Sequence, residues 1–170
     1  DELRPALIRG KDFPRNIQSL ATDQKNLYIG MKDEVGCYSF ATSDYQVISH
    51  PEFFYISTLM LDSSESTLWI GNAHHLHRMN LNTKEIERVR DFYVVKSIAK
   101  DDNNLLIGTD NGLYVCDRQG TWHLISHDAR NSQSLSSNVV NMFFKDANGN
   151  IWIGTDNGIS LAAHNPSIRS

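Results

Sequence analysis

Four segments of this 170-residue chain carry nearly the same tetrapeptide: Leu27-Tyr28-Ile29-Gly30, Leu68-Trp69-Ile70-Gly71, Leu105-Leu106-Ile107-Gly108 and Ile151-Trp152-Ile153-Gly154. Their glycines stand 41, 37 and 46 residues apart by residue number. A period of about forty residues marks one supersecondary unit copied and stacked. Whatever fold the chain takes must therefore be built from that unit.

The last two copies show it most fully, as LLIGTDNGLYV from Leu105 to Val115 and IWIGTDNGISL from Ile151 to Leu161. Each reads as strand, tight turn, strand. Asn111-Gly112 and Asn157-Gly158 are hairpin dipeptides, in which both residues are expected to take a positive φ. An earlier strand precedes each tetrapeptide: Ile17–Ala21, Ile56–Leu61, Val95–Ala99 and Val140–Phe144. Polar turns at Thr22–Asn26, Asp62–Thr67, Asp101–Asn104 and Asp146–Asn150 join the two. A fourth strand follows in three units, at Gln46–Ile48, Glu85–Val89 and Trp122–Ile125.

Four short antiparallel strands per unit make a β-propeller blade, so the fold class is all-β. The tetrapeptide strands are apolar on both faces, and stacked blades would bury both. Trp69 and Trp152 are accordingly expected in the core, and Trp122 part-exposed on an outer strand. The blades are expected at 17–55, 56–94, 95–138 and 139–170, with 1–16 contributing a lone outer strand at Pro5–Gly10. That strand could complete the fourth blade and close a four-bladed ring. The favoured expectation is an arc of a larger propeller, whose exposed ends would self-associate or meet further blades.

The formal net charge is −4 and Lys and Arg are scattered, which argues against nucleic acid as a partner. No apolar run has the length of a membrane span, so no direct membrane insertion is expected of this segment. A start at Asp1 with no signal peptide suggests a mature or excised piece. Cys37 and Cys116 fall two units apart, so a disulfide between them is not expected.

The stretch Leu135–Ile159, LSSNVVNMFFKDANGNIWIGTDNGI, resembles the two-component regulator propeller repeat. Leu105–Val115 matches the same pattern well, and the first two units match at the strand and glycine. In that family such repeats form the extracytoplasmic sensor region of hybrid two-component system proteins of Bacteroides-type bacteria. The resemblance implies a periplasmic sensor segment that relays an oligosaccharide signal to a transmembrane histidine kinase. It implies no catalysis by this segment, and none of the kinase parts is present. The first unit departs from the pattern by a two-residue insertion before Gly36. In the second, His74-His75 replace Asn-Gly, so His75 would need a positive φ.

In a propeller the loops between second and third strands share a face with the loops between blades. The first set carries Asp33, Glu34, His74, His75, Asp110, Asn111, Asp156 and Asn157; the second carries Phe53, Phe54, Tyr55, Phe92, Tyr93 and the stretch 127–138. Carboxylates chelate sugar hydroxyls and aromatic rings cover sugar C–H faces. The ligand-binding candidates are therefore Asp33, Glu34, Phe54, Tyr55, His74, His75, Phe92, Tyr93, Asp110 and Asp156. The plainer reading makes Asp110 and Asp156 turn residues and the aromatic pairs blade packing. His75 and His77 share a strand face, yet no spaced Cys or acidic partner follows, so neither a metal nor any other cofactor is expected. Two other functions compete: a protein-interaction scaffold, and a propeller-type polysaccharide lyase or hydrolase using His74 or His127 as base.

Overall fold

The computed structural model describes residues 16–101 and 104–162, and the backbone of 7–8 and 11–12. Asp102 and Asn103 of the third polar turn, and the end of the fourth expected blade from 163 onward, lie outside the described residues. So do Pro5, Ala6, Arg9 and Gly10 of the expected lone strand. Among the described residues every regular element is a strand. The chain divides into two compact units, Asp1–Asp91 and Phe92–Ser170.

The first unit opens with β1 (Leu7–Ile8) paired antiparallel to β2 (Lys11–Asp12). The leading strand is therefore not alone. Two four-stranded antiparallel sheets follow, each a meander. One is β3 (Ser19–Thr22), β4 (Asn26–Gly30), β5 (Glu34–Ser39) and β6 (Tyr45–Ser49). The other is β7 (Thr58–Asp62), β8 (Thr67–Gly71), β9 (His75–Asn80) and β10 (Ile86–Asp91).

The two sheets share one core of Tyr28, Val35, Phe53, Ile56, Leu59, Leu68, Ile70 and Met79. The innermost strands are also tied by a hydrogen bond from Leu59 N to Ser19 Oγ at 2.9 Å. β8 is buried along its whole length, as a strand covered on both faces must be. Trp69 lies in it with 8% exposure, as expected for a core tryptophan.

The second unit contains β11 (Val95–Asp101), β12 (Asn104–Thr109), β13 (Gly112–Cys116) and β14 (Trp122–Ile125) in a third meander. A three-stranded sheet of β15 (Val140–Lys145), β16 (Ile151–Thr155) and β17 (Gly158–Ala162) packs on it. Leu106, Leu113, Leu135, Val140, Ile151 and Ile153 form their common core. Gly108 sits where the sheets touch. A Cβ there would lie 2.8 Å from Val140 Cγ1 and 2.9 Å from the Val140 carbonyl oxygen.

The structure corrects three local expectations. Only the glycine of each Asn-Gly pair has a positive φ, 118° at Gly112 and 112° at Gly158. Pairing of Thr109 with Gly112 and of Thr155 with Gly158 puts Asp-Asn at the tip of each turn. The threonine holds the turn: Thr109 Oγ1 accepts from Asn111 N at 3.0 Å and donates to the Gly112 carbonyl at 2.9 Å. The fold positions Gly, rather than Asn-Gly, as the residue that relieves the backbone.

His75 also needs no positive φ. Asn72 Oδ1 accepts from His74 N at 2.8 Å and His75 N at 2.7 Å, closing that turn by a side chain instead. Trp152, expected in the core, is 39% exposed. It sits on the bare face of the last sheet beside Phe144 and Leu161, with which it pairs across the strands. The core face of β16 holds Ile151 and Ile153. Burial on both faces thus fails where no described sheet covers the second face.

Candidate functional site

In the first unit, the loop between the sheets and the β8–β9 hairpin come together. Asn72, fully buried, makes the junction: its Nδ2 donates to the Glu52 carbonyl at 2.9 Å while its Oδ1 holds the hairpin amides. Ala73 N donates to the Phe54 carbonyl at 3.1 Å, and Ile56 N to the Lys32 carbonyl at 2.9 Å. These bonds fix the loop at both ends, so its side chains are presented from a preorganised backbone.

Three expected site residues meet there. The Phe54 and His74 rings stack in parallel, 5.6 Å apart, and Phe54 meets Tyr55 edge-on at 4.8 Å. Phe54 and Tyr55 are about half exposed. Tyr55 holds a φ of 50°, a left-handed conformation uncommon outside glycine, Asn and Asp. Lys32 Nζ lies 5.1 Å from the Tyr55 ring centre. The result is an exposed aromatic shelf with a cation beside it, able to cover a flat apolar face and bond to polar rims. Phe53, the neighbour of this pair, is buried in the core, where its ring also touches His77.

The remaining candidates separate into other roles. Asp33 is exposed and lies 3.7 Å from Lys32, and Glu34 is half-buried in β5. His75 Nδ1 pairs with Asp91 at 3.1 Å. In the second unit Phe92 packs edge-on against Tyr114 and Trp122, which is half-buried as expected, while Tyr93 is 81% exposed. Asp110 receives Lys96 Nζ at 2.8 Å, Lys96 also donates to Asn141 Oδ1, and Asn141 Nδ2 donates to Asp156 Oδ1 at 2.5 Å. Those two carboxylates are engaged in tying β11 to β15 and to the turns. The loop 127–136 and β17 line a separate cavity of about 570 Å³. His127 beside it is held by the Leu135 carbonyl at its Nδ1.

A second cluster was not expected from the sequence. His50, Glu52 and His77 bring their ligand-capable atoms within 4.8 Å of one another. His77 is fully buried in β9 and its Nε2 lies 3.1 Å from Glu52 Oε2. Burial pushes the His77 ring below its ordinary pKa, against the pull of the Glu52 hydrogen bond. The His77 hydrogen bond, helped by Arg88, holds the Glu52 carboxyl below the usual range. The missing signal was spatial: His50 and Glu52 belong to the loop between sheets, which the strand pattern around His75 and His77 does not reveal.

Residues 134–157, running from this second unit's loop through β15 and β16, match the two component regulator propeller family. No curated protein matches the chain. Among solved structures, the chain is 34% identical, with a TM-score of 0.80, to the extracellular domain of a B. thetaiotaomicron protein described as the hybrid two component system BT4673. That match covers 89% of this chain and 22% of the other. A second structure, described as the extracellular domain of a one component system BT4673 from B. thetaiotaomicron, is 26% identical with a TM-score of 0.65. It is matched over 91% of this chain and 28% of its own. The computationally designed Ika4 protein, 14% identical with a TM-score of 0.67 over 95% of this chain and 98% of its own, shares the fold. The chain therefore spans about a quarter of the length of the two natural structures.

Proposed function

We propose that this chain is part of the extracytoplasmic, periplasmic sensor region of a hybrid two-component system protein, and that it takes part in recognising an oligosaccharide. The likeness to the extracellular domain of such a system over 89% of the chain carries this reading. The regulator propeller repeat at 134–157 supports it. The segment acts by binding and by relaying strain between blades to a transmembrane histidine kinase, with no chemistry of its own.

The Phe54–Tyr55–His74 shelf is the ligand surface in this reading. Its rings are exposed on a backbone that the Asn72 bonds hold still, so little ordering entropy opposes binding. The test is calorimetric titration of a panel of plant and host oligosaccharides into the parent's extracellular region. At least one glycan is expected to bind, with affinity falling at least about fivefold in Phe54→Ala and Tyr55→Ala, as loss of a stacking ring costs roughly 1 kcal/mol or more. Glycan binding untouched by both substitutions would remove the shelf from the reading. A panel without any binder, together with a protein captured by the same region, would replace it with an interaction scaffold.

A further inference from the structure

We propose that His50, Glu52 and His77 form a binding site for one divalent transition-metal ion of the zinc class. Two imidazoles and a carboxylate are a donor set that suits zinc, and three protein ligands leave a coordination position open. All three residues lie within the first unit, with ligand-capable atoms within 4.8 Å of one another. The 3.1 Å separation of His77 Nε2 from Glu52 Oε2 is close to the ~3.3 Å that two ligand atoms have on a tetrahedral zinc. The His50 and His77 rings meet at 63° with centroids 5.3 Å apart.

The hydrogen-bonding state of His77 points the same way. Its Nδ1 is buried and faces no partner among the described residues. With the proton on Nε2, donated to Glu52, Nδ1 is a buried bare lone pair. With the proton on Nδ1, Nε2 turns a lone pair toward a carboxylate. In this second tautomer a cation held between Nε2 and Glu52 supplies the positive partner that both the lone pair and the carboxylate lack, with the proton kept on Nδ1.

The surroundings position the carboxylate. Arg88 Nη1 lies 3.5 Å from Glu52 Oε1, on the opposite oxygen from the one facing His77. Asn72 fixes the Glu52 backbone at its carbonyl. Such outer contacts orient a ligand and sharpen affinity. The Glu52 N–H meets His50 Nδ1 only at 3.3 Å, a long contact that an ion can replace at small cost. His75 is the next imidazole, its ring centre 5.6 Å from that of His77, but Asp91 already engages it. An ion here would join the loop between the sheets to β9.

The test uses the full chain, stripped with chelator and titrated with zinc chloride alone, with cobalt(II) as spectroscopic probe. One ion per chain is expected, with the visible bands of four-coordinate cobalt and a rise in melting temperature on zinc addition. Glu52→Gln and His50→Ala are expected to weaken binding by at least about tenfold, the floor set by loss of mere outer-shell partners elsewhere. His123→Ala, which removes an exposed histidine of the second unit, is expected to bind as wild type. His77 is too buried to be the deciding variant. Zinc affinity unchanged in both Glu52→Gln and His50→Ala, or cobalt spectra showing only six-coordinate surface binding, would overturn the site.

Discussion

Asn72 does more for this structure than its single side chain suggests. It is fully buried and spends its amide on three backbone groups from two different segments. Each net hydrogen bond is worth about 1 kcal/mol, and buried groups left unpaired cost more. Asn72→Ala is therefore expected to destabilise the chain by about 2–3 kcal/mol, read as a lower midpoint in urea unfolding. Asn72→Asp keeps the acceptor for His74 and His75 but sets an oxygen against the Glu52 carbonyl, so it should rescue only part of that loss.

Asp146 is the corresponding anchor of the β15–β16 turn. Its Oδ1 accepts from the Asn148 and Asn150 amides, and its Oδ2 from Asn150 Nδ2 and Trp152 Nε1, each at 2.9 to 3.0 Å. These bonds, with the Asn150 side chain first, hold its carboxyl at about 2, below the ordinary 3.8. A depressed carboxyl stabilises the fold above its unfolded pKa, and that contribution fades as pH falls from about 4 toward 2. Asp146→Asn is expected to flatten the acid limb of a stability–pH curve over that window. An unchanged limb would mean the turn bonds carry no linkage.

At the scale of elements, what lies over each repeat glycine ranks how well it tolerates a side chain. A Cβ at Gly108 meets the Val140 carbonyl oxygen at 2.9 Å, and backbone cannot swing aside. At Gly30 it meets Ile56 Cγ2 at 3.1 Å, and at Gly154 it meets Met142 Cγ at 2.8 Å, the flexible side chain of an exposed residue. Alanine is thus expected to cost about 2–4 kcal/mol at Gly108, less at Gly30 and least at Gly154, by thermal unfolding of the three variants.

These elements were legible because glycine-closed apolar strands recur at a fixed spacing and their pairing is local. The inner, second, third and outer strands all appear within a few residues of where the pattern puts them. What stayed hidden depends on contacts between segments. Nothing local to Trp152 says that one face of β16 lacks a covering sheet among the described residues. Likewise His75 and His77 read as a strand pair without an acidic partner until the loop bearing His50 and Glu52 folds across His77. The exposed loop placement of Phe54 and Tyr55 was legible in the sequence; the partners of Asp110 and Asp156 were not, since Lys96 and Asn141 engage them from other strands.

For the whole molecule, the last sheet carries the clearest sign of something beyond the described residues. Met142, Phe144, Trp152, Ile159 and Leu161 share one of its faces, and all are at least 39% exposed. A contiguous apolar face of this kind marks an interface. In the sensor proposed above, it is expected to pack against a further blade; in the chain by itself, it is expected to drive self-association. Light scattering is expected to show association that rises with concentration and is lost in the double variant Phe144→Lys, Ile159→Lys. A wild-type monomer at every concentration would mean the face is covered within the chain.

The most direct test of the sensor reading is where this segment resides in the cell. Tyr93 is 81% exposed, while the chain's own Cys37 and Cys116 are half-buried thiols outside any disulfide, so a cysteine at position 93 gives the label site once those two and any other cysteines of the parent are replaced by serine. With Tyr93→Cys in the full-length parent, a membrane-impermeant maleimide is expected to label the protein in intact spheroplasts. Labelling only after lysis would place the segment in the cytoplasm and contradict an extracytoplasmic sensor.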